Sequence, residues 1–199
     1  LPPGLQPGRF RDMKPIRTKR LILRNWEEAD RDLFHRINSD AKVMEFFGMQ
    51  RTRAESDALF DKLRGNAERD GFGFTAVEIA ATGECIGFVG INPTDLEPIL
   101  PKGAIEIGWR LAPEFWGKGY VTEASNAWLG YCFDALGLDE VVSFAVWNND
   151  RSTSVMKRLG MRHDVANDFD HPRVPDTNAH LKRHALYRLT RTEWQARQA

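Results

Sequence analysis

The stretch EFWGKGYVTEAS, Glu114–Ser125, sets Gly117 and Gly119 around Lys118 at the mouth of a helical pattern. The first N–H groups of a helix have no internal partners, and the helix dipole makes that end positive. A turn without side chains lets those groups approach an anion's oxygens closely, so the chemistry on offer is phosphate binding. The patterns GxxxxGK[ST] and GxGxxG are both absent, so neither a P-loop nor a dinucleotide turn accounts for it. Just upstream, AIEIGWRL carries Glu106 and Gly108 on one face of an alternating segment. Downstream, NNDRSTSVMKRLGM opens a second helix, which Asn149 can cap. His163, Asp164, Asp168, Asp170 and His171 cluster in sequence without HExxH or another tight ligand spacing, and no metal is expected.

These groups need elements to hold them. RLILRNW reads as a strand, and Asn25 with Glu28 fits a capping box for a helix with Leu33, Phe34 and Ile37 on its apolar face. TRAESDALFDKLRGNAERDG reads as a second helix stopped by Gly71. FTAVEIAATGECIGFVGI gives two strands joined by a turn in which Gly83 takes positive φ. In AIEIGWRL, Ile105, Ile107, Trp109 and Leu111 alternate with Glu106, Gly108 and Arg110. A helix follows the glycine turn, with Ala124, Ala127, Trp128, Tyr131, Cys132 and Ala135 at helical spacing. VVSFAVW is a buried strand, and a short helix shares Ser152, Val155, Met156 and Leu159 on one face before Gly160 ends it. Two strands, near Arg162 to Phe169 and Arg183 to Thr190, close the chain around a polar loop. The order β-α-α-β-β-β-α-β-α-β-β implies an α/β fold: one mixed, mostly antiparallel sheet with one parallel crossover and helices on both faces.

The chain of 199 residues suits a single domain, taken as 16–194, after a Pro- and Gly-rich extended arm over 1–15 and before a short tail over 195–199. Lys plus Arg equals Asp plus Glu at 28 each, which disfavours a polyanion such as nucleic acid as the main ligand. Cys85 and Cys132 stand in unrelated contexts, and no apolar run has the length of a membrane span or signal core. A cytoplasmic location is the simplest expectation, with no membrane partner. Oligomeric state is not legible.

LAPEFWGKGYVTEAS and NNDRSTSVMKRLGM together resemble the acyl-CoA-binding core of the GNAT superfamily of N-acetyltransferases. The opening TKRLILRNWEEAD, the strand IEIGWRL and the final DFDHPRVPDTNAHLKRHALYRLTRTEW resemble the branch that acetylates ribosomal-protein N-termini. The resemblance spans roughly residues 16–194 and implies acetyl-CoA as co-substrate. It implies a pyrophosphate on backbone N–H groups of Trp116, Gly117, Lys118, Gly119, Tyr120 and Val121. It puts pantetheine along the strand edge of Ile107, Gly108, Trp109 and Leu111, with Asn149, Ser152 and Met156 facing the pantetheine and thioester. Glu106 is then the candidate base for an acceptor ammonium, a backbone N–H near Ile107–Trp109 the donor to the thioester oxygen, and Ser152 the candidate acid for the thiolate. The acceptor is a small-molecule amine or a peptide N-terminus.

Two positions depart from the resembled pattern. Glu114 stands where a Gln or Arg often precedes the first glycine. Met156 stands where many members carry a tyrosine that protonates the thiolate, and methionine has no proton to give. Both motivate an alternative reading, a non-catalytic acyl-CoA-binding sensor or scaffold. A third reading is an unrelated α/β binding domain with a coincidental glycine turn.

Overall fold

The computed structural model describes residues 14–198, so most of the N-terminal arm lies outside the described residues. The strands are β1 Ile16–Arg17, β2 Leu21–Arg24, β3 Phe74–Ile79, β4 Glu84–Pro93, β5 Ile105–Leu111, β6 Glu140–Val146, β7 Arg162–His163, β8 Phe169–Asp170 and β9 Arg183–Thr190. The helices are α1 Arg31–Ser39, α2 Arg53–Asp70, α3 Tyr120–Gly130, α4 Asp150–Arg158 and α5 Arg191–Ala196. Among the described residues all nine strands form one sheet in the order β1-β2-β3-β4-β5-β6-β9-β7, with β8 also on β9. Every pairing is antiparallel except β5 with β6.

The sheet buries both faces, as its alternating strands require. On one face α3 packs Ala124 and Trp128 against Leu23, Val77, Val89, Ile91 and Ile107. On the other, α1 and α2 bring Phe34 and Phe60 against Trp26, Ala76 and Phe88, with the Trp26 and Phe34 rings edge-on at 5.0 Å. Thr52 and Glu55 cap α2 reciprocally, and Gly71 ends it with φ 74°. Gly83 and Gly160 take φ 72° and 75° at the turn and helix stop expected of them. No helix among the described residues is long and apolar enough to cross a membrane.

The structure corrects three local expectations. The α1 region is capped by Glu27 with Asp30 rather than by Asn25 with Glu28. Asn25 Oδ1 instead accepts from the Trp26 N–H, and Asp30 is drawn inward by a two-pronged contact with Arg24 at 2.7 and 3.0 Å. The strand expected near Arg162 to Phe169 is split into β7 and β8 by a 3-10 turn at Val165–Asn167. There Asp168 replaces a ladder bond by accepting from the Leu186 N–H at 2.9 Å, and Asp164 pairs with the Arg188 side chain at 2.6 Å. Finally, α5 follows β9 behind a Thr190–Glu193 capping box, and α3 passes into a π-helical turn at Tyr131–Ala135.

Candidate active site

The site is built where two parallel strands separate. β5 and β6 are paired at one position, Glu106 opposite Val142, and then diverge. At the fork the buried Ser143 Oγ donates to the Ile107 carbonyl at 2.9 Å. Backbone groups alternate along a strand, so Trp109 presents its N–H on that same edge, beyond the last paired position. Further along, the Trp116 indole N–H occupies the Leu111 carbonyl at 2.8 Å.

A cleft of about 930 Å³ opens at this fork. β5 contributes Trp109 and Leu111 to it, and the turn with the mouth of α3 contributes Trp116, Gly117, Gly119, Tyr120 and Val121. Asn149, Ser152 and Arg158 line it from the start and outer face of α4. Glu106, Ile107, Gly108, Lys118 and Met156 are not among its lining residues. Met156 is 1% exposed and packs in the core beneath α4, and Trp128 is equally interior. At Gly108, whose missing side chain would leave room on the Glu106 face, the Phe74 ring fills the space, 3.1 Å from where a Cβ would stand.

The mouth of α3 has the form an anion needs. Gly117 and Gly119 hold φ 72° and 77°, a left-handed backbone that side-chain-bearing residues avoid. The first bond of the helix runs from the Glu123 N–H to the Gly119 carbonyl. The N–H groups from Gly117 through Thr122 have no acceptor among the described residues. A Cβ at Gly117 would meet nothing within 4 Å, so the turn is open. Arg20, which the motif reading passed over, ties the turn to the sheet: it donates to the Lys118 carbonyl at 3.0 Å and to Glu123 at 2.6 Å. Glu114 points away from this cradle and pairs with Arg36 of α1 at 2.7 Å. Asn149 caps α4 by accepting from the Ser152 N–H at 3.2 Å.

Glu106 lies on the opposite face of β5 from the α3 core, next to Asn92 of β4. Its carboxyl has no hydrogen-bond or ion-pair partner among the described residues, and burial together with the charge of Asp95 pushes its pKa up to about 7. Arg173, paired with Asp95, opposes that shift. Val142, Phe144 and β9's Leu186 and His184 continue this face past the fork. His171 lies 4.9 Å from the His184 ring and 6.0 Å from Phe144, and burial and the neighbouring His184 push its pKa down to about 4. His171 is thus neutral near pH 7, whereas Asp170 is exposed beside Arg183. His163 and Asp168 form a pair at 2.9 Å, and no three His, Cys, Asp or Glu side chains converge as a metal site among the described residues.

Residues 20–162 match the family described as Acetyltransferase (GNAT) domain. The chain is 28% identical over 185 residues to FsC-acetyl coenzyme A-N(2)-transacetylase of Aspergillus fumigatus, covering 90% of this chain and 77% of that protein. It is 31% identical over 152 residues to an uncharacterized N-acetyltransferase, YnaD, of Bacillus subtilis, covering 75% and 83%. A crystal structure of an acetyltransferase from Agrobacterium tumefaciens superposes with a TM-score of 0.70 at 28% identity, over 89% of this chain and 95% of that one. With the family match running from β2 to β7, across the glycine turn and the forked strands, this chain belongs to the GNAT acetyltransferases and is an acetyl-CoA-dependent N-acetyltransferase.

Proposed function

We propose that the forked cleft holds acetyl-CoA and that Glu106 deprotonates a primary amine, which attacks the thioester directly in a ternary complex. The observation that carries this reading is the unpaired Glu106 carboxyl beside the fork, raised to about 7. A base with that pKa is half-ionised near neutral pH, where it combines a usable ionised fraction with real basicity. The co-substrate supplies an activated acetyl group. The N–H groups of Gly117 to Thr122 receive its pyrophosphate, and the free edge of β5 from Ile107 to Leu111 lies along its pantetheine. The Trp109 N–H faces the thioester oxygen and stabilises the charge that develops there. A nitrogen–carbon bond forms as the carbon–sulfur bond breaks. Glu106 takes the proton from nitrogen, directly or through water, and Ser152, which lines the cleft at the start of α4, donates one to sulfur. Met156 has no part in proton transfer, being both buried and without a donor.

The acceptor is a small amine or a peptide N-terminus rather than a charged polymer, in keeping with the balanced net charge. The test is thermal unfolding with acetyl-CoA, CoA and ATP at matched concentrations, followed by thiol release with a panel of amines. Stabilisation by the two coenzyme forms but not ATP, with amine-dependent thiol release, is the expected result. Coenzyme binding without release for any amine would favour a sensor instead.

A further inference from the structure

Among the described residues, Arg110 is a cation of the sheet without the anion that its burial calls for. Arg24 and Arg188, the other well-buried arginines of the sheet, are held by carboxylates: Asp30, Glu78 and Glu27 for the first, Asp164 and Glu140 for the second. Arg110 on β5 has no carboxylate partner among the described residues. Its Nη1 donates to Asn38 Oδ1 in a short contact, while its Nε is buried with no acceptor at all. Its guanidinium carbon lies 4.0 Å from the Phe47 ring centroid and 5.4 Å from that of Phe88. Such a contact holds the planar fork in place without neutralising it. The charge that acts on it is of the same sign: Arg51 lies close enough to lower the Arg110 pKa, and its own Nε is also buried without an acceptor. Arg110 nevertheless stays charged at neutral pH, since burial and Arg51 bring it down only to about 9.

The position of this charge says which ligand supplies the anion. Arg110 lines the cleft beside Phe47, Val43 and Phe46 of the segment between α1 and α2. It points to the same side of β5 as Glu106, opposite the α3 core, because its strand neighbour is Phe88 of the α1–α2 core. The open N–H groups of the phosphate cradle line the same cleft from the mouth of α3, whose body packs on the other face of the sheet, whereas Arg110 reaches the cleft from the α1–α2 side. Arg110 therefore addresses the acceptor. Its Cα is roughly 13 Å along the strand from that of Glu106, with Gly108 and the Phe74 ring over it between them, so an acceptor that reaches both ends passes over that ring.

We propose that Arg110, backed by Arg51, receives a carboxylate of the acceptor, and that the substrate class is an amino carboxylate rather than a polyamine or an uncharged alkylamine. The inference rests on the acetyl-transfer reading of the same cleft. An arginine–carboxylate fork gives both strength and orientation, and leaving it unmade strands a buried charge.

The test compares ω-amino carboxylates of increasing chain length, beginning with glycine, with alkylamines and diamines of matched length. Binding is read by thermal shift of the CoA-saturated protein, and turnover by thiol release. The account expects the carboxylates to stabilise the CoA complex and to exceed the matched alkylamines in kcat/KM by about tenfold to hundredfold at the best length. Arg110→Gln collapses that ratio, chiefly through KM. Arg110→Lys, which keeps the charge but loses the fork, restores part of it, and CoA affinity holds within about twofold in both variants. Equal binding and turnover of carboxylates and alkylamines by the unaltered protein, or a loss of CoA affinity in Arg110→Gln equal to the loss of activity, overturns the inference. These outcomes are distinct from failure of the acetyl-transfer reading itself, which appears as absence of CoA stabilisation and of thiol release with every amine.

Discussion

Glu106 carries the residue-scale account, and its two roles have opposite signs. As a base it works only when ionised, so kcat/KM rises with pH through about 7. As a partly buried acid without a partner among the described residues it opposes the fold when ionised. Its folded pKa lies above the ordinary 4.5, so between those values the folded state binds more protons than the unfolded chain. Stability from this group therefore declines as pH rises through that window, and the penalty is complete above about 7. Glu106→Gln is expected to lower kcat/KM by about 10²–10⁴-fold. The same variant unfolds at a higher temperature than the unaltered protein at pH 8 but not at pH 4, which melting at the two pH values checks. Glutamine keeps the size and loses only the charge, so a fall in both stability and activity would assign Glu106 a structural part instead. The types and positions of Glu106, Asn149 and the two glycines were legible in the sequence, because local spacing places them at strand and helix ends. The surroundings of Glu106 were not. Asp95 and Arg173 reach it from different loops, and only the folded chain brings them together.

At the scale of elements, the glycine turn and the fork are separable. Gly119 holds φ 77°, and a Cβ there would lie 3.5 Å from Arg20, an ordinary contact. Gly119→Ala therefore pays for backbone strain alone, about 1–2 kcal/mol, seen as a melting temperature lower by roughly 2–8 °C. Its effect on acetyl-CoA is larger than on the fold, because tilting the turn misaims several N–H groups together; we expect at least tenfold weaker binding by titration. Ser143→Ala removes the bond at the fork and leaves the Ile107 carbonyl without that donor, with an expected loss of about 1 kcal/mol and a raised KM for acetyl-CoA. Punctuation made the turn readable, and the alternation of Ile105 to Leu111 made β5 readable. The clamp was hidden because Ser143 and Ile107 are 36 positions apart and a serine in a buried strand has no local signature. The split of the strand near Arg162 was hidden for a related reason: Asp168 takes the Leu186 N–H of β9 and Asp164 pairs with the Arg188 side chain of β9, both distant in sequence.

For the whole molecule, ligand and fold are linked through the two separated strands. Acetyl-CoA binds the folded state only, so at 100 times its dissociation constant it adds about 2.7 kcal/mol to stability. For a domain of this length that is a rise of roughly 5–11 °C in melting temperature, measured by a scan at saturating ligand. The mostly antiparallel pairing and the single parallel crossover followed from the run of three consecutive strands and one later β-α-β unit, since those connections admit few arrangements. The acceptor side was the least legible part. It is assembled from the segment between α1 and α2, from β5 and from the loop before β9, and Asn178 of that loop reaches Gly48 at 3.3 Å, 130 positions away. Contacts of that range leave no periodicity to read.

The central claim is that a carboxyl beside the fork removes the amine's proton. The most direct measurement is the pH dependence of kcat/KM for acetylation of a turned-over amine, for the unaltered protein and for Glu106→Gln. The account predicts a rising limb with an apparent pKa of about 7 in the first and its disappearance, with the lowered rate, in the second. The same limb at the same height in both proteins would contradict it.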